Sequence, residues 1–140
     1  MTVPARVSIV TLAARDVAAL ADWYERLGWR SHRYGAHTAR FETGGAVLML
    51  YDADKLAEEA GIDLGFGGAT LALNVQEKDD VDAAMDGVRD AGGEVVREPA
   101  DREWGGRSGY WADPEGNVWE VAWMPGGAFD ERGAFIWPPR

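Results

Sequence analysis

Apolar and polar residues alternate along this chain with two periods, and the changes of period divide it into elements. Residues 7–13 form a short β-prone run. From Asp16 the period lengthens: Val17, Leu20, Trp23/Tyr24 and Leu27 recur every three or four residues, the pattern of a helix with one apolar face. Asp16 suits the N-cap, because its carboxylate accepts amide hydrogens of the first turn, and Gly28 suits the left-handed position that stops the helix. Three β-type stretches follow at 30–34, 38–42 and 46–51.

The same order then recurs. Residues 70–75 read as a strand. Asp80 opens a second helix, whose apolar face is Val81, Ala84, Met85 and Val88, and Gly92 stops it at the spacing that separates Asp16 from Gly28. Further β-type stretches lie at 94–98, 108–112 and 118–123. A βαβββ pattern read twice predicts an α+β fold: module 1 over about 5–52, a linker over 53–68 with a short helical piece at 54–60 and a Gly-rich end at 65–68, module 2 over about 69–123, and a tail over 124–140. One such unit cannot bury both faces of its sheet. The two are therefore expected to join edge to edge into a curved mixed sheet, with the helices on the convex side and a pocket on the concave side.

Composition narrows the chemistry. The length of 140 residues suits one domain, and the absence of cysteine removes disulfides, thiolate metal sites and cysteine nucleophiles. Two histidines, His32 and His37, leave histidine chemistry thinly supplied; they flank the turn at Tyr34-Gly35 and are read as surface residues. No apolar run reaches the roughly 18–20 residues of a membrane span, and residues 1–6 lack a signal-peptide layout, so a cytoplasmic protein without a membrane partner is expected. The net charge of −10 is uneven: residues 1–65 hold nine Asp/Glu against seven Lys/Arg, and 66–140 hold fifteen against seven. That excess repels nucleic acid and attracts a cationic small molecule. The glycine pairs have neither dinucleotide-binding nor P-loop spacing, and there is no Gly-x-Ser-x-Gly elbow.

Two segments carry a family resemblance. Val10-Thr-Leu-Ala-Ala-Arg-Asp-Val with Trp23-Tyr-Glu-Arg-Leu-Gly-Trp resembles the opening of glyoxalase/bleomycin-resistance/extradiol-dioxygenase proteins, the vicinal oxygen chelate superfamily. Gly109-Tyr-Trp-Ala-Asp-Pro-Glu-Gly-Asn-Val-Trp-Glu is similar to their last hairpin, and its Asp113-Pro-Glu-Gly-Asn stretch is turn chemistry between two β-prone runs. The tail resembles that of a subgroup described only as glyoxalase-like. Metal-dependent members place one ligand on the first strand and one on the last strand of each unit. Carried onto this chain, the four positions are Ile9, Met49, Thr70 and Glu120. Only Glu120 is a hard donor, so no metal and no other cofactor is expected.

Alternation places Ile9, Thr11, Met49, Tyr51, Thr70, Ala72, Asn74 and Glu120 on the pocket side, and Trp119 and Trp123 against the helices. Glu120 is the candidate catalytic base or cation-binding carboxylate. A carboxylate facing an apolar hollow calls for a hydrogen-bonding partner. Trp104 and Trp111 are candidate ligand walls, and Arg107, near Arg102 at the Gly105-Gly106 pair, a candidate at the pocket mouth. The expected function is small-molecule binding of the bleomycin-resistance type, with an apolar or aromatic, cationic ligand. The alternatives are a metal-independent isomerase or lyase using Glu120 with Tyr51 or Asn74, and a metal-dependent glyoxalase or dioxygenase. The resemblance implies a homodimer, and the apolar tail, with Phe129, Phe135, Ile136 and Trp137, should pack on its own domain or on the partner.

Overall fold

The computed structural model describes residue 3 and residues 5–65 and 67–139; Phe66 of the linker and Arg140 of the tail lie outside it. Module 1 runs β1 (Ile9–Ala14), α1 (Val17–Arg26), β2 (Ser31–Tyr34), β3 (Thr38–Phe41) and β4 (Val47–Asp52). After α2 (Ala53–Ala60), module 2 repeats the order as β5 (Leu71–Asn74), α3 (Asp80–Asp90), β6 (Glu94–Asp101), β7 (Arg107–Ala112) and β8 (Val118–Trp123). The sheet orders are β1-β4-β3-β2 and β5-β8-β7-β6, with the first strand parallel to the last and the other neighbours antiparallel. The repeat seen in the sequence is thus a repeat of topology.

The helix caps follow the residues, with one difference. Asp16 caps α1, its carboxylate accepting the Ala19 amide hydrogen at 3.0 Å. In the second unit Asp79 occupies the cap without a side-chain bond; Asp80 is already helical and accepts from the Glu77 amide at 3.2 Å. Both first helices bury the faces predicted for them, through Val17, Leu20, Trp23 and Tyr24 in α1 and Val81, Met85 and Val88 in α3.

One expectation is corrected. β1 and β5 are each the edge of a separate four-stranded sheet, so the modules do not share a hydrogen-bonded ladder. A common core joins them instead. Trp23 and Tyr24 of α1 pack against module 2: Trp23 lies 5.6 Å from Trp111 and Tyr24 lies 6.1 Å from Trp119 between ring centroids, and Trp111 stacks on Trp119 at 5.4 Å. A polar chain crosses the same junction. Trp119 Nε1 donates to the Tyr24 hydroxyl at 2.9 Å, and that hydroxyl donates to Asp113 Oδ2 at 2.6 Å. Burial, and then the Asp113 carboxylate, push the Tyr24 phenol well above its usual range, so it remains a neutral donor. Next to Asp113, Glu115 accepts from the amides of Arg15 and Asp16 at 2.7 and 3.3 Å. The turn of module 2 thereby holds the strand–helix corner of module 1.

The tail forms a two-stranded hairpin, β9 (Ala128–Phe129) with β10 (Phe135–Ile136). It docks beside the turn between β3 and β4 so closely that a Cβ on Gly44 would stand 2.6 Å from the Gly133 carbonyl. No helix among the described residues is long and apolar enough to cross a membrane.

Candidate functional site

Register decides which side chains face the hollow. In β8, Trp119 and Val121 are buried against the helices, so Glu120 points the other way and is half-buried. Its ladder partners are Ala72 on β5 and Tyr110 on β7, which lie on the same face. Asn74 shares that face with Ala72, two residues along the strand. In module 1 the equivalent face carries Ile9, Thr11, Met49 and Tyr51, with Thr38 opposite Tyr51 and Arg40 opposite Met49. Ile9 is 51% exposed and Thr11 is exposed, as befits side chains turned from the core. Met49 and Tyr51 are half-buried.

The Glu120 carboxylate is the centre of a small polar group. Tyr110 donates its hydroxyl hydrogen to Glu120 Oε2 at 2.9 Å. Burial first, and the carboxylate second, raise the Tyr110 phenol pKa, which keeps it protonated as a donor. Arg102 donates from Nε to Ser108 Oγ at 3.0 Å and from Nη2 to the Ser108 carbonyl at 2.9 Å. Its guanidinium carbon sits 5.9 Å from the centroid of the Tyr110 ring. Among the described residues no Lys, Arg or His forms an ion pair with Glu120. The carboxylate is oriented by a neutral donor and left without a counter-charge in contact.

Three candidate residues are displaced from the roles the sequence suggested. Trp111 is fully buried, opposite Trp119 in the hairpin, and belongs to the core between α1 and module 2, not to a ligand wall. Arg107 lies opposite Trp123 on the helix side. It grips both carboxylate oxygens of Asp82 on α3 at 2.8 and 2.9 Å and donates to Asp101 at 3.1 Å. The bond to Arg107 holds the Asp82 carboxyl below its usual value, so this arginine tethers a helix and is absent from the pocket mouth. Thr70 precedes β5 and is exposed; the strand residue that meets Glu120 is Ala72. Trp104 remains in an exposed loop, 49% accessible, with its ring over Gly106, where a Cβ would collide with it. The two histidines do not meet across their hairpin: His32 lies opposite Arg40, and His37 sits 3.4 Å from Asp52.

The four positions that hold metal ligands in metal-dependent relatives do not fit a metal here. Two side chains lack a competent hard donor, Thr70 is off the strand, and Glu120 has one oxygen committed to Tyr110. Met49 and Glu120 stand on different sheets, with β1 and β5 between them in strand order. No cluster of three or more His, Cys, Asp or Glu suited to a metal occurs among the described residues.

A cleft of about 300 Å³ lies between the edge strands of the two sheets. Val10, Leu48, Leu71 and Leu73 wall it, Trp119 lies at its base, and Phe129 and Phe135 of the tail hairpin cover it. Ala72 and Asn74 line its rim toward the concave face. A cleft of similar size, about 320 Å³, lies on the outside between the start of α1 and Pro114-Glu115. It is remote from Glu120 in the fold and its glutamate is occupied as a cap.

The profile of the Glyoxalase/Bleomycin resistance protein/Dioxygenase superfamily matches residues 6–121. The fold is similar to that of a glyoxalase-related enzyme from Fulvimarina pelagi, with 29% identity, a TM-score of 0.89, and coverage of 97% of this chain and 100% of that one. It is similar also to TioX from Micromonospora sp. ML1, at 27% identity and a TM-score of 0.63, covering 83% and 96%. Lactoylglutathione lyase from Agrobacterium tumefaciens shares the fold at 22% identity and a TM-score of 0.68, covering 86% and 94%. No curated protein matches the chain at a comparable level of significance.

Proposed function

The chain belongs to the glyoxalase/bleomycin resistance protein/dioxygenase superfamily, and from that premise we propose that it binds a small molecule on the concave face of module 2 without the family's metal. The ligand is apolar or aromatic with one cationic, hydrogen-bond-donating end, and that end pairs with Glu120. The observation that carries this reading is the half-buried Glu120 carboxylate, oriented by Tyr110 and lacking a cationic partner among the described residues. A half-buried carboxylate with no cation in contact gains from a ligand that brings the opposite charge and a hydrogen-bond donor. Arg40 and Arg102 lie on the same concave surface, which favours a single positive charge over a polycation.

Titration with aromatic amines, followed by tryptophan fluorescence, tests the reading. Glu120→Gln is expected to weaken binding by about 10–100-fold, the value of one hydrogen bond to a charged group, with little change in stability. Unchanged fluorescence for every amine tried, or equal affinity in the variant, would sink it.

A second reading has one observation in its favour. The 2.9 Å bond from Tyr110 makes Glu120 and Tyr110 a base and a proton donor side by side, as a metal-independent isomerase or lyase requires. In this reading Tyr110 takes the role the sequence suggested for Tyr51 or Asn74. Turnover lost in Glu120→Gln, with the fold intact, separates this reading from binding alone.

We also propose a homodimer. Exposed Ile136, Trp137 and Trp104, at 49%, 70% and 49%, are large apolar side chains that a two-fold contact would cover. Light scattering at micromolar concentration is expected to give twice the 15.3 kDa chain mass. A monomer would contradict the proposal.

A further inference from the structure

We propose that the cleft between the modules is the apolar half of the ligand site, a slot that takes a flat aromatic ring while the ligand's charged end rests on Glu120. This rests on the binding reading above and extends it from the concave face, past Ala72 and Asn74, into a cleft that none of the family's four ligand positions lines.

The slot exists because the two sheets are not joined. β1 and β5 are edge strands, and no strand pairs with either on its outer side among the described residues. Their helix-side residues, such as Val10 and Leu73, are consequently only half-buried, although they belong to the apolar layer. Collapse of the neighbours would ordinarily remove such a gap. Here the base is fixed: the Trp119 ring is stacked on Trp111 and its Nε1 is bonded to Tyr24, so it does not swing into the space. The roof is fixed as well. Phe129 and Phe135 pack edge to face at 5.7 Å, and Gly127 and Gly44 allow the hairpin to seat, since a Cβ at either would stand 2.6 Å from Phe135 or from the Gly133 backbone.

Size and position then select the occupant. A volume of about 300 Å³ is at the small end of the range for ligand pockets, roughly 300–1,000 Å³, and suits a one- or two-ring group better than a whole extended ligand. The aromatic base and cover, Trp119 below and Phe129 and Phe135 above, favour an aromatic guest. The slot opens beside the carboxylate, because Ala72 both lines it and is the ladder partner of Glu120. The small Ala72 side chain leaves the passage from slot to carboxylate open, and Asn74 offers an amide on the same rim.

Two dyes that share one two-ring fluorophore test the slot on the full chain: dansylcadaverine, whose flexible tail ends in a primary ammonium, and dansylamide, which is neutral. Both are expected to bind the natural protein saturably. Ala72→Phe, at an exposed position where the larger side chain requires no repacking of the core, should weaken both by about tenfold or more. Phe135→Ala, which removes part of the roof, should weaken both as well and serves if Ala72→Phe unfolds. Glu120→Gln should weaken dansylcadaverine alone. If Glu120→Gln weakens dansylcadaverine but neither slot variant affects either dye, the slot is overturned and the Glu120 reading stands. If the slot variants weaken dansylamide while Glu120→Gln leaves dansylcadaverine unchanged, the slot stands and the cationic reading falls. Failure of both dyes to bind the natural protein saturably would overturn the slot outright.

Discussion

Asp113→Ala is expected to destabilise the protein by about 3–4 kcal/mol, a large share of the roughly 5–15 kcal/mol available to a domain. The carboxylate is 3% exposed and accepts four hydrogen bonds: from the amides of Glu115 and Asn117 at 2.9 and 3.0 Å, from Asn117 Nδ2 at 2.8 Å, and from the Tyr24 hydroxyl at 2.6 Å. Net bonds to a charged acceptor contribute about 1.5–3 kcal/mol each, but the turn amides can rotate toward water and recover part of the loss. Tyr24 cannot, since it is fully buried between the modules. The loss should therefore include a loosening of α1 from module 2. Urea unfolding measures the total, and hydrogen exchange at α1 measures the loosening. A cost below about 1 kcal/mol, the scale of an exposed polar contact, would mean that the turn does not tie the modules together.

Trp111→Ala should cost about 3–5 kcal/mol, as large-to-small changes of a buried tryptophan do. The ring is 0% exposed, between Trp23 at 5.6 Å and Trp119 at 5.4 Å. Trp111→Phe should cost far less than Trp111→Ala. The indole N–H of Trp111 is buried with no hydrogen-bond partner among the described residues, so phenylalanine removes an unsatisfied donor while retaining most of the packing. Ligand affinity in Trp111→Phe should be close to that of the natural protein. If the variant instead keeps full stability and loses binding, Trp111 is a ligand wall after all and the core assignment is mistaken.

Most of the architecture was legible because the signals were local and doubled. Asp16 and Gly28 bracket one helix, Asp80 and Gly92 lie about another, and the same order of strands follows each. The face assignments of Ile9, Thr11, Met49, Tyr51, Ala72, Asn74 and Glu120 follow from simple alternation, which survives wherever a strand is regular. Trp111 and Arg107 were misplaced for want of one counting step. Residues equidistant from Glu115, the middle of the Asp113–Asn117 turn, are ladder partners: Trp111 with Trp119, Tyr110 with Glu120, Arg107 with Trp123. Applied to the sequence, that symmetry puts Trp111 and Arg107 on the helix side and finds Tyr110, the partner of Glu120 that residue-by-residue reading missed. The gap between β1 and β5 and the tail hairpin over it were not legible. They depend on packing of α1 against β7 and β8 and on close passage of Gly44 past Gly133, contacts between residues far apart in sequence.

The charge pattern was read correctly as a number and incompletely as a place. The acidic excess lies largely in the second half of the chain, yet several of those carboxylates are spent on the helix side, Asp82 and Asp101 on Arg107 and Glu98 on Arg89. Net charge alone does not aim a cation at the hollow. The proposed cation site rests instead on the single carboxylate of Glu120, on the face of its strand turned from the helices.

Elemental analysis of the protein, purified without chelator and with zinc, nickel, iron and manganese supplied during growth, tests the central claim most directly: that this member of the superfamily works at Glu120 without a metal. The donor set of Ile9, Met49, Thr70 and Glu120 predicts no transition metal in stoichiometric amount, and the same trace content in Glu120→Ala. One metal ion per chain, lost in Glu120→Ala, would contradict it.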